Sequence, residues 1–340
     1  MSEKMLAAVF KGEGSLVLEE VDIPVLDKDD EILIKVDAVS ICGTDVHIVE
    51  VPPGYIATPE TILGHELTGI VEKTGSSVKT IKIGDRVVVN PNDYCCVCKF
   101  CKMNLPNLCE NIAALGIHVN GGFAKYCKVT EKVCHRISKK VLPEEATFAE
   151  PLACVINGTE KIRPQPGETA MIFGGGPIGL LFLKMLKTAG VSKVILCEVS
   201  KMRLEFAKNN GADLVINMKD GNFEKILFEE APFGVDIAVD STGSLFSEGI
   251  KAVRKGGKFL VFGVNTKAVS SFAQSEITFK EIQVLGTWLA NGTFPKAVKL
   301  IEAGILNLNS MITDKLPLGK INEGINLLKK GKAIKIIINP

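Results

Sequence analysis

The sequence predicts a two-domain α/β protein, a β-rich module followed by a doubly wound parallel sheet. Three observations predict it. Through residues 1–152, short Val- and Ile-rich segments are separated by Gly, Pro, Asp and Asn, the punctuation of an all-β module. After Pro164-Gln165-Pro166-Gly167, near-continuous apolar segments alternate with helical ones, as in a parallel sheet covered on both faces. Early in that second texture a glycine cluster joins a strand to a helix.

Taken in order, residues 32–36, 69–72 and 86–90 read as strands, and Gly84-Asp85 as the turn into the third. Residues 169–173 form an apolar strand, and 178–188 a helix stopped at Gly190. A strand at 193–197 and a helix at 201–209 follow, the helix ending near Gly211. Residues 213–216, 235–239 and 258–264 read as further strands, and 281–289 is another apolar run. A helix at 294–303 and a strand at 333–338 would return the chain to the first module. The expected domains are therefore 1–152, 153–290 and the returning segment 291–340.

Composition narrows the function. The 340 residues are 46% hydrophobic and 23% charged, which is globular. Forty basic against 39 acidic residues leave a net charge of +1, with no electrostatic case for nucleic acid or anionic lipid as partner. The opening apolar run is broken by Glu3 and Lys4, unlike a secretory signal, and no apolar run reaches membrane-spanning length. The expected location is the cytoplasm. Five of the ten cysteines fall between Cys95 and Cys109. Disulfide frameworks belong to small chains, so clustering in a chain this long points to metal.

Gly174, Gly176 and Gly179 have the G-x-G-x-x-G spacing, with Pro177 and Ile178 opening the helix. Backbone N–H groups at such a turn, with the helix dipole, can hold a pyrophosphate. Glu198 ends the next strand, 19 residues after Gly179. A carboxylate there accepts hydrogen bonds from both ribose hydroxyls of NAD and repels the 2′-phosphate of NADP. Lys201 and Arg203 lie near enough to leave some tolerance for that phosphate.

Cys95, Cys98, Cys101 and Cys109 are spaced C-x2-C-x2-C-x7-C. Four thiolates on one loop surround a tetrahedral zinc and leave no open position, so this site would be structural. Cys96 is off the spacing. Cys42, the pair His65-Glu66, and Glu150 are dispersed, and each alone has a structural reading. A thiolate, an imidazole and a carboxylate together make a zinc site with a fourth position for water or substrate. Thr44 and His47 follow Cys42 closely, and a hydroxyl and an imidazole could relay a proton to solvent. Cys127, Cys134, Cys154 and Cys197 read as buried small side chains, His118 as a loop residue and His135 as structural.

Six motifs, in order and at matching intervals, resemble the zinc-containing medium-chain alcohol dehydrogenases over essentially the whole chain. They are Cys42-Gly43-Thr44-Asp45, Gly64-His65-Glu66, Gly84-Asp85-Arg86-Val87, the four-cysteine loop, Glu150-Pro151 and the 174–179 turn. The resemblance implies a GroES-like catalytic domain interrupted by a Rossmann domain. It also implies two zinc ions per chain, NAD, and a small alcohol or ketone as substrate. It assigns Cys42, His65 and Glu66 to the catalytic zinc, with Glu150 either a ligand or bonded to the zinc's water. Cys42 to His47 is similar to threonine dehydrogenases, and Glu150-Pro151-Leu152 to sorbitol and butanediol dehydrogenases. Thr287-Trp288-Leu289-Ala290 lacks the arginine–tyrosine pair with which sorbitol dehydrogenases hold polyol hydroxyls.

The expected function is hydride transfer between a small secondary alcohol or polyol and NAD. Two alternatives stand beside it, an L-threonine 3-dehydrogenase and a non-catalytic NAD-binding sensor. The apolar run at 281–289 could pair with its own copy across a two-fold axis, giving a dimer or, by the resemblance, a homotetramer.

Overall fold

The computed structural model describes residues 3–340. The chain divides into two compact units: residues up to Ala153 together with Ala290–Pro340, and Cys154–Leu289.

The first unit is β-rich. Its N-terminal part contains β1 (Lys4–Gly12), β2 (Ser15–Asp22), β3 (Glu31–Ser40), α1 (Gly43–Ile48), β4 (Thr61–Ile62), β5 (Glu66–Thr74) and β6 (Arg86–Val89). Then come β7 (Asn92–Asp93), α2 (Lys99–Lys102), β8 (Ala113–Ala114), β9 (Tyr126–Thr130), β10 (Cys134–Arg136) and α3 (Pro143–Ala146). Helix α4 (Ala149–Ile162) leads into the second unit. Strands β1, β2 and β4 form a small antiparallel sheet. A larger sheet is built on β3, which pairs antiparallel with both β5 and β9. Eight of the ten residues of β3 are buried, and only Lys35 is exposed, because β3 has neighbours on both edges. The structure thus carries the strands expected at 32–36, 69–72 and 86–90.

The second unit alternates strand and helix: β11 (Thr169–Phe173), α5 (Pro177–Thr188), β12 (Lys193–Glu198), α6 (Lys201–Asn209), β13 (Leu214–Asn217) and α7 (Phe223–Glu230). It continues through β14 (Val235–Asp240), α8 (Phe246–Ala252), β15 (Val253–Val261), α9 (Ser275–Lys280) and β16 (Gln283–Gly286). The six strands lie in the order β13-β12-β11-β14-β15-β16, every neighbouring pair parallel. Phe173, Ile195, Val235 and Phe259 are wholly buried in its core. The strand expected at 258–264 begins earlier, at Val253, since Gly256 and Gly257 extend it through a shifted register rather than ending it. The run at 281–289 contributes only the four residues of β16.

The chain closes in the first unit with α10 (Phe294–Ala303), β17 (Ile312–Pro317), α11 (Ile321–Lys329) and β18 (Lys335–Asn339). Strand β18 pairs antiparallel with β3, placing Ile337 opposite Ser40. On the other edge of β3, Ser40 stands opposite Glu66. One row of the sheet therefore joins three segments far apart in sequence.

Candidate active site

That row builds the first cluster. Cys42 follows the end of β3, and His65-Glu66 stands at the start of β5, so the pairing of Ser40 with Glu66 brings all three ligand candidates together. One ligand atom each from Cys42, His65 and Glu66 lies within 4.8 Å of the others. Cys42 caps α1: its N–H donates to Asp45 Oδ2 at 2.8 Å, and its sulfur accepts from the Thr44 N–H at 3.4 Å. This cap fixes the thiol at the head of the helix.

Asp45 and His65 are both buried, with Asp45 Oδ1 3.6 Å from His65 Nδ1. Neither atom has a hydrogen-bond partner. A carboxylate facing Nδ1 orients an imidazole so that Nε2 is offered to a metal. Glu66 accepts on Oε2 from both the Ser40 hydroxyl and the Lys335 ammonium. Lys335 is 1% exposed and lies 5.5 Å above the Phe148 ring. Both tethers act on the same oxygen, which leaves Glu66 Oε1 for a further partner.

Charge decides what that partner is. Burial drives the Cys42 thiol pKa upward, and the Glu66 charge adds to it. Burial likewise raises the Asp45 pKa. For His65 burial works against the charged ring, but Cys42 and Asp45 outweigh it, and Glu150 adds to them, so its pKa rises well above the ordinary value. Four acidic groups thus surround one lysine and one imidazole. A divalent cation relieves that imbalance, and sulfur, nitrogen and oxygen donors suit zinc. Glu150 sits buried in the first turn of α4 and acts on His65 through its charge, but it lies outside the three-residue cluster.

Thr44 is half-buried on α1, and His47 is exposed, its Nδ1 3.3 Å from Glu50 Oε2. His118 Nδ1 accepts from the Ala114 N–H at 3.1 Å and closes a turn. His135 stacks on Phe294 at 5.1 Å, and burial lowers its pKa. Cys127, Cys134, Cys154 and Cys197 are buried.

The second cluster is Cys95, Cys98, Cys101 and Cys109, whose sulfurs also lie within 4.8 Å of one another. The ribbon of β7 and β8 pins the base of this loop. Sulfur separations of 3.5 Å for Cys95–Cys109 and 3.8 Å for Cys98–Cys109 match the edge of a zinc–sulfur tetrahedron, about 3.8 Å for bonds of about 2.3 Å. Backbone N–H groups of Val97 and Cys98 lower the Cys95 pKa to about 6, and those of Cys101 and Glu110 lower that of Cys98. Burial among the other sulfurs pushes Cys101 up to about 12. Crowded thiols that resist losing the last proton are what a metal resolves. Cys96 is exposed, with a left-handed φ of 63°.

In the second unit, Gly174 takes φ +103° and Gly176 caps α5 without a side-chain hydrogen bond, so the first-turn N–H groups remain available. A Cβ on Gly179 would stand 1.9 Å from the Gly174 carbonyl oxygen; only glycine allows that approach. A Cβ on Gly176 would meet nothing within 4 Å except Arg203 Nη1 at 3.8 Å, so space lies over the turn. Pro177 and Ile178, half-buried, begin the helix there. Glu198 is 8% exposed. Its Oε2 accepts from the Gly175 N–H at 2.8 Å, and its Oε1 from those of Val199 at 2.7 Å and Ser200 at 3.0 Å. Arg203 Nη1 stands 3.9 Å from Glu198 Oε2, and its buried Nε has no partner. This cradle fits a dinucleotide.

Residues 28–139 match the alcohol dehydrogenase GroES-like domain, and residues 177–303 the zinc-binding dehydrogenase domain. The D-arabinitol dehydrogenase 1 of Uromyces fabae is 34% identical over 99% of this chain and 97% of its own length. The chain belongs to the zinc-containing medium-chain alcohol dehydrogenases. Sorbitol dehydrogenase of Bacillus subtilis (strain 168) is 31% identical, over 99% of this chain and 98% of that protein. Among solved structures, a zinc-binding dehydrogenase of Sinorhizobium meliloti 1021, bound to NADP, superposes with a TM-score of 0.92 at 29% identity, covering 100% of both chains. An Escherichia coli CFT073 alcohol dehydrogenase complexed with NADH does so with a TM-score of 0.92 at 27% identity, over 99% of each. A member of this family is a zinc-dependent enzyme acting on CH–OH groups with a nicotinamide cofactor.

Lys335, Ser40 and the capping role of Asp45 escaped the sequence reading. A lysine among isoleucines in a closing strand was the available signal, since a charge in such a strand is buried only when paired.

Proposed function

We propose that the chain interconverts a small secondary alcohol or polyol and the matching ketone with NAD, in the first unit's Cys42–His65–Glu66 centre. The observation that carries this is the convergence of those three ligand atoms within 4.8 Å in a buried, acid-rich setting. The arabinitol and sorbitol dehydrogenases among its relatives favour a polyol or similar alcohol over threonine. When bound, zinc supplies Lewis acidity that makes a hydroxyl proton labile, and NAD accepts the hydride.

The residues do the rest. Cys42, His65 and Glu66 hold the catalytic metal, with Asp45 orienting His65. Glu150 stays close enough to act by charge or through a water. Thr44 Oγ1 takes the substrate's proton and His47 releases it to solvent. Cys95, Cys98, Cys101 and Cys109 hold the second, structural zinc. Gly174, Gly176, Pro177, Ile178 and Gly179 cradle the pyrophosphate, and Glu198 takes the ribose hydroxyls. Arg203, with its unpartnered Nε, leaves room for NADP. The open edge of β16 pairs with a second copy and makes a homo-oligomer, a tetramer by likeness to the family. Val284 on β16, and Phe279 on the helix that precedes it, are exposed, which supports the reading. We assign the protein to the cytoplasm, where reducing conditions keep its ten free thiols ready for metal.

A screen of arabinitol, sorbitol, 2,3-butanediol and threonine with NAD, following reduced-cofactor absorbance, tests this. Turnover of a diol or polyol above that of threonine is expected. Threonine alone as substrate would favour the amino-alcohol reading, and NAD binding with no turnover of any alcohol would favour a sensor.

A further inference from the structure

The strand order of the second unit reverses between β11 and β14. A ligand binds outside the carboxyl ends of parallel strands at such a switch. One wall of that crevice is the 174–179 turn after β11, and the other is the segment 241–245 after β14. The two walls touch: a Cβ on Gly174 would lie 2.6 Å from Ser241 Oγ and 2.8 Å from Thr242 Cγ2. Ser241 Oγ also donates to the Phe173 carbonyl at 2.7 Å, tying the second wall to the end of β11.

The second wall is shaped by Asp240, the last residue of β14 and 1% exposed. Its Oδ1 accepts from the Thr242 N–H at 2.8 Å, the Thr242 hydroxyl at 2.7 Å and the Gly243 N–H at 3.0 Å. Its Oδ2 accepts from the Leu245 N–H at 3.0 Å. All four donors come from the five residues that follow it. Its carbonyl accepts from Phe262 and Gly263 N–H groups, at 3.0 and 2.9 Å, fixing the end of β15 alongside. Gly243 and Gly263 then approach so closely that a Cβ on Gly263 would stand 2.2 Å from the Gly243 nitrogen.

We propose that Asp240 is a positioning residue for the dinucleotide, its carboxylate presetting the 241–245 wall in the shape that NAD requires. The role needs an ionised acid, because only a carboxylate accepts on both oxygens and donates from neither. An asparagine satisfies the three donors at Oδ1 but sets its own NH₂ against the Leu245 N–H. That opens the segment where it enters α8 and loosens the wall against Gly174. The proposal rests on NAD binding by this unit.

Calorimetric titration of the zinc-loaded enzyme with NAD tests it. Asp240→Asn should weaken NAD binding by about 10-fold or more, the lower end of the worth of one hydrogen bond to a charged group. The loss should fall on the KM for NAD more than on kcat. Ile216→Val, a core change on β13, should lower the melting temperature and leave the NAD Kd unchanged. A folded Asp240→Asn enzyme with the wild-type Kd overturns the role, whatever its melting temperature. Should that variant not fold, Thr242→Val decides: weaker NAD binding supports the role, and an unchanged Kd ends it. A wild-type chain that binds no NAD overturns the cofactor reading itself, a result distinct from an unchanged variant.

Discussion

Glu66 and Lys335 form a buried ion pair whose two members are each about 1% exposed. Removing one partner of such a pair is costly because the other keeps its charge without water. Lys335→Met should therefore destabilise the zinc-depleted protein by about 3 kcal/mol or more. Zinc bound at Glu66 would supply the missing positive charge, so the loss should be smaller in the loaded form. Urea denaturation of both forms checks this, and equal losses would refute it. Thr44 makes the complementary case on α1. Thr44→Ala should lower kcat by about 100-fold or more if proton transfer limits turnover, and an unaltered pH–rate profile would count against the relay. These residues were unevenly legible. Cys42, His65 and Glu66 could be nominated from motifs, but only the register of β3 with β5 and β18 shows why they meet. The pairing of Ser40 with Glu66 spans 26 positions and that of β3 with β18 nearly the whole chain, and no local pattern encodes either.

At the level of elements, Asp236 on β14 gives a pH-dependent test. Its Oδ2 accepts from the Thr169 N–H at 2.7 Å and hydroxyl at 2.9 Å, and its Oδ1 from Arg254 Nε at 2.6 Å. Burial opposes its ionisation, but these donors prevail and hold its pKa below the ordinary 3.8. The folded value lies under the unfolded one, so the stabilisation is complete above that ordinary value and fades as pH falls through the folded value. Asp236→Asn should thus cost about 2 kcal/mol near neutrality, with the difference from wild type shrinking in acid, as denaturation at several pH values would show. Helices and strands with clean periods were readable: β11, α6 and α10 have the expected bounds. Helix α4 was not, because Pro151, Gly158 and the β-branched Val155 and Ile156 lower its local propensity. Burial of most of its residues overrides that weakness.

For the molecule as a whole, the metal count separates the readings. Two zinc ions per chain are expected by elemental analysis, one at each cluster. Selective removal of the structural ion should lower the melting temperature, and the catalytic ion should be needed for turnover. One zinc per chain would favour the sensor. Size-exclusion chromatography should show a homo-oligomer; a monomer would remove the role given to β16.

The contact between Lys335 and Glu66 spans 269 positions, and it has a consequence for biosynthesis. Translation proceeds from the amino end, so β5 emerges long before β18. Until the late strand arrives, the early carboxylate has no ammonium to meet, and β3 lacks one of its neighbours. The sheet beneath the centre would therefore close only after β18 has left the ribosome, and until then the Glu66 carboxylate must be met by metal rather than by an ammonium.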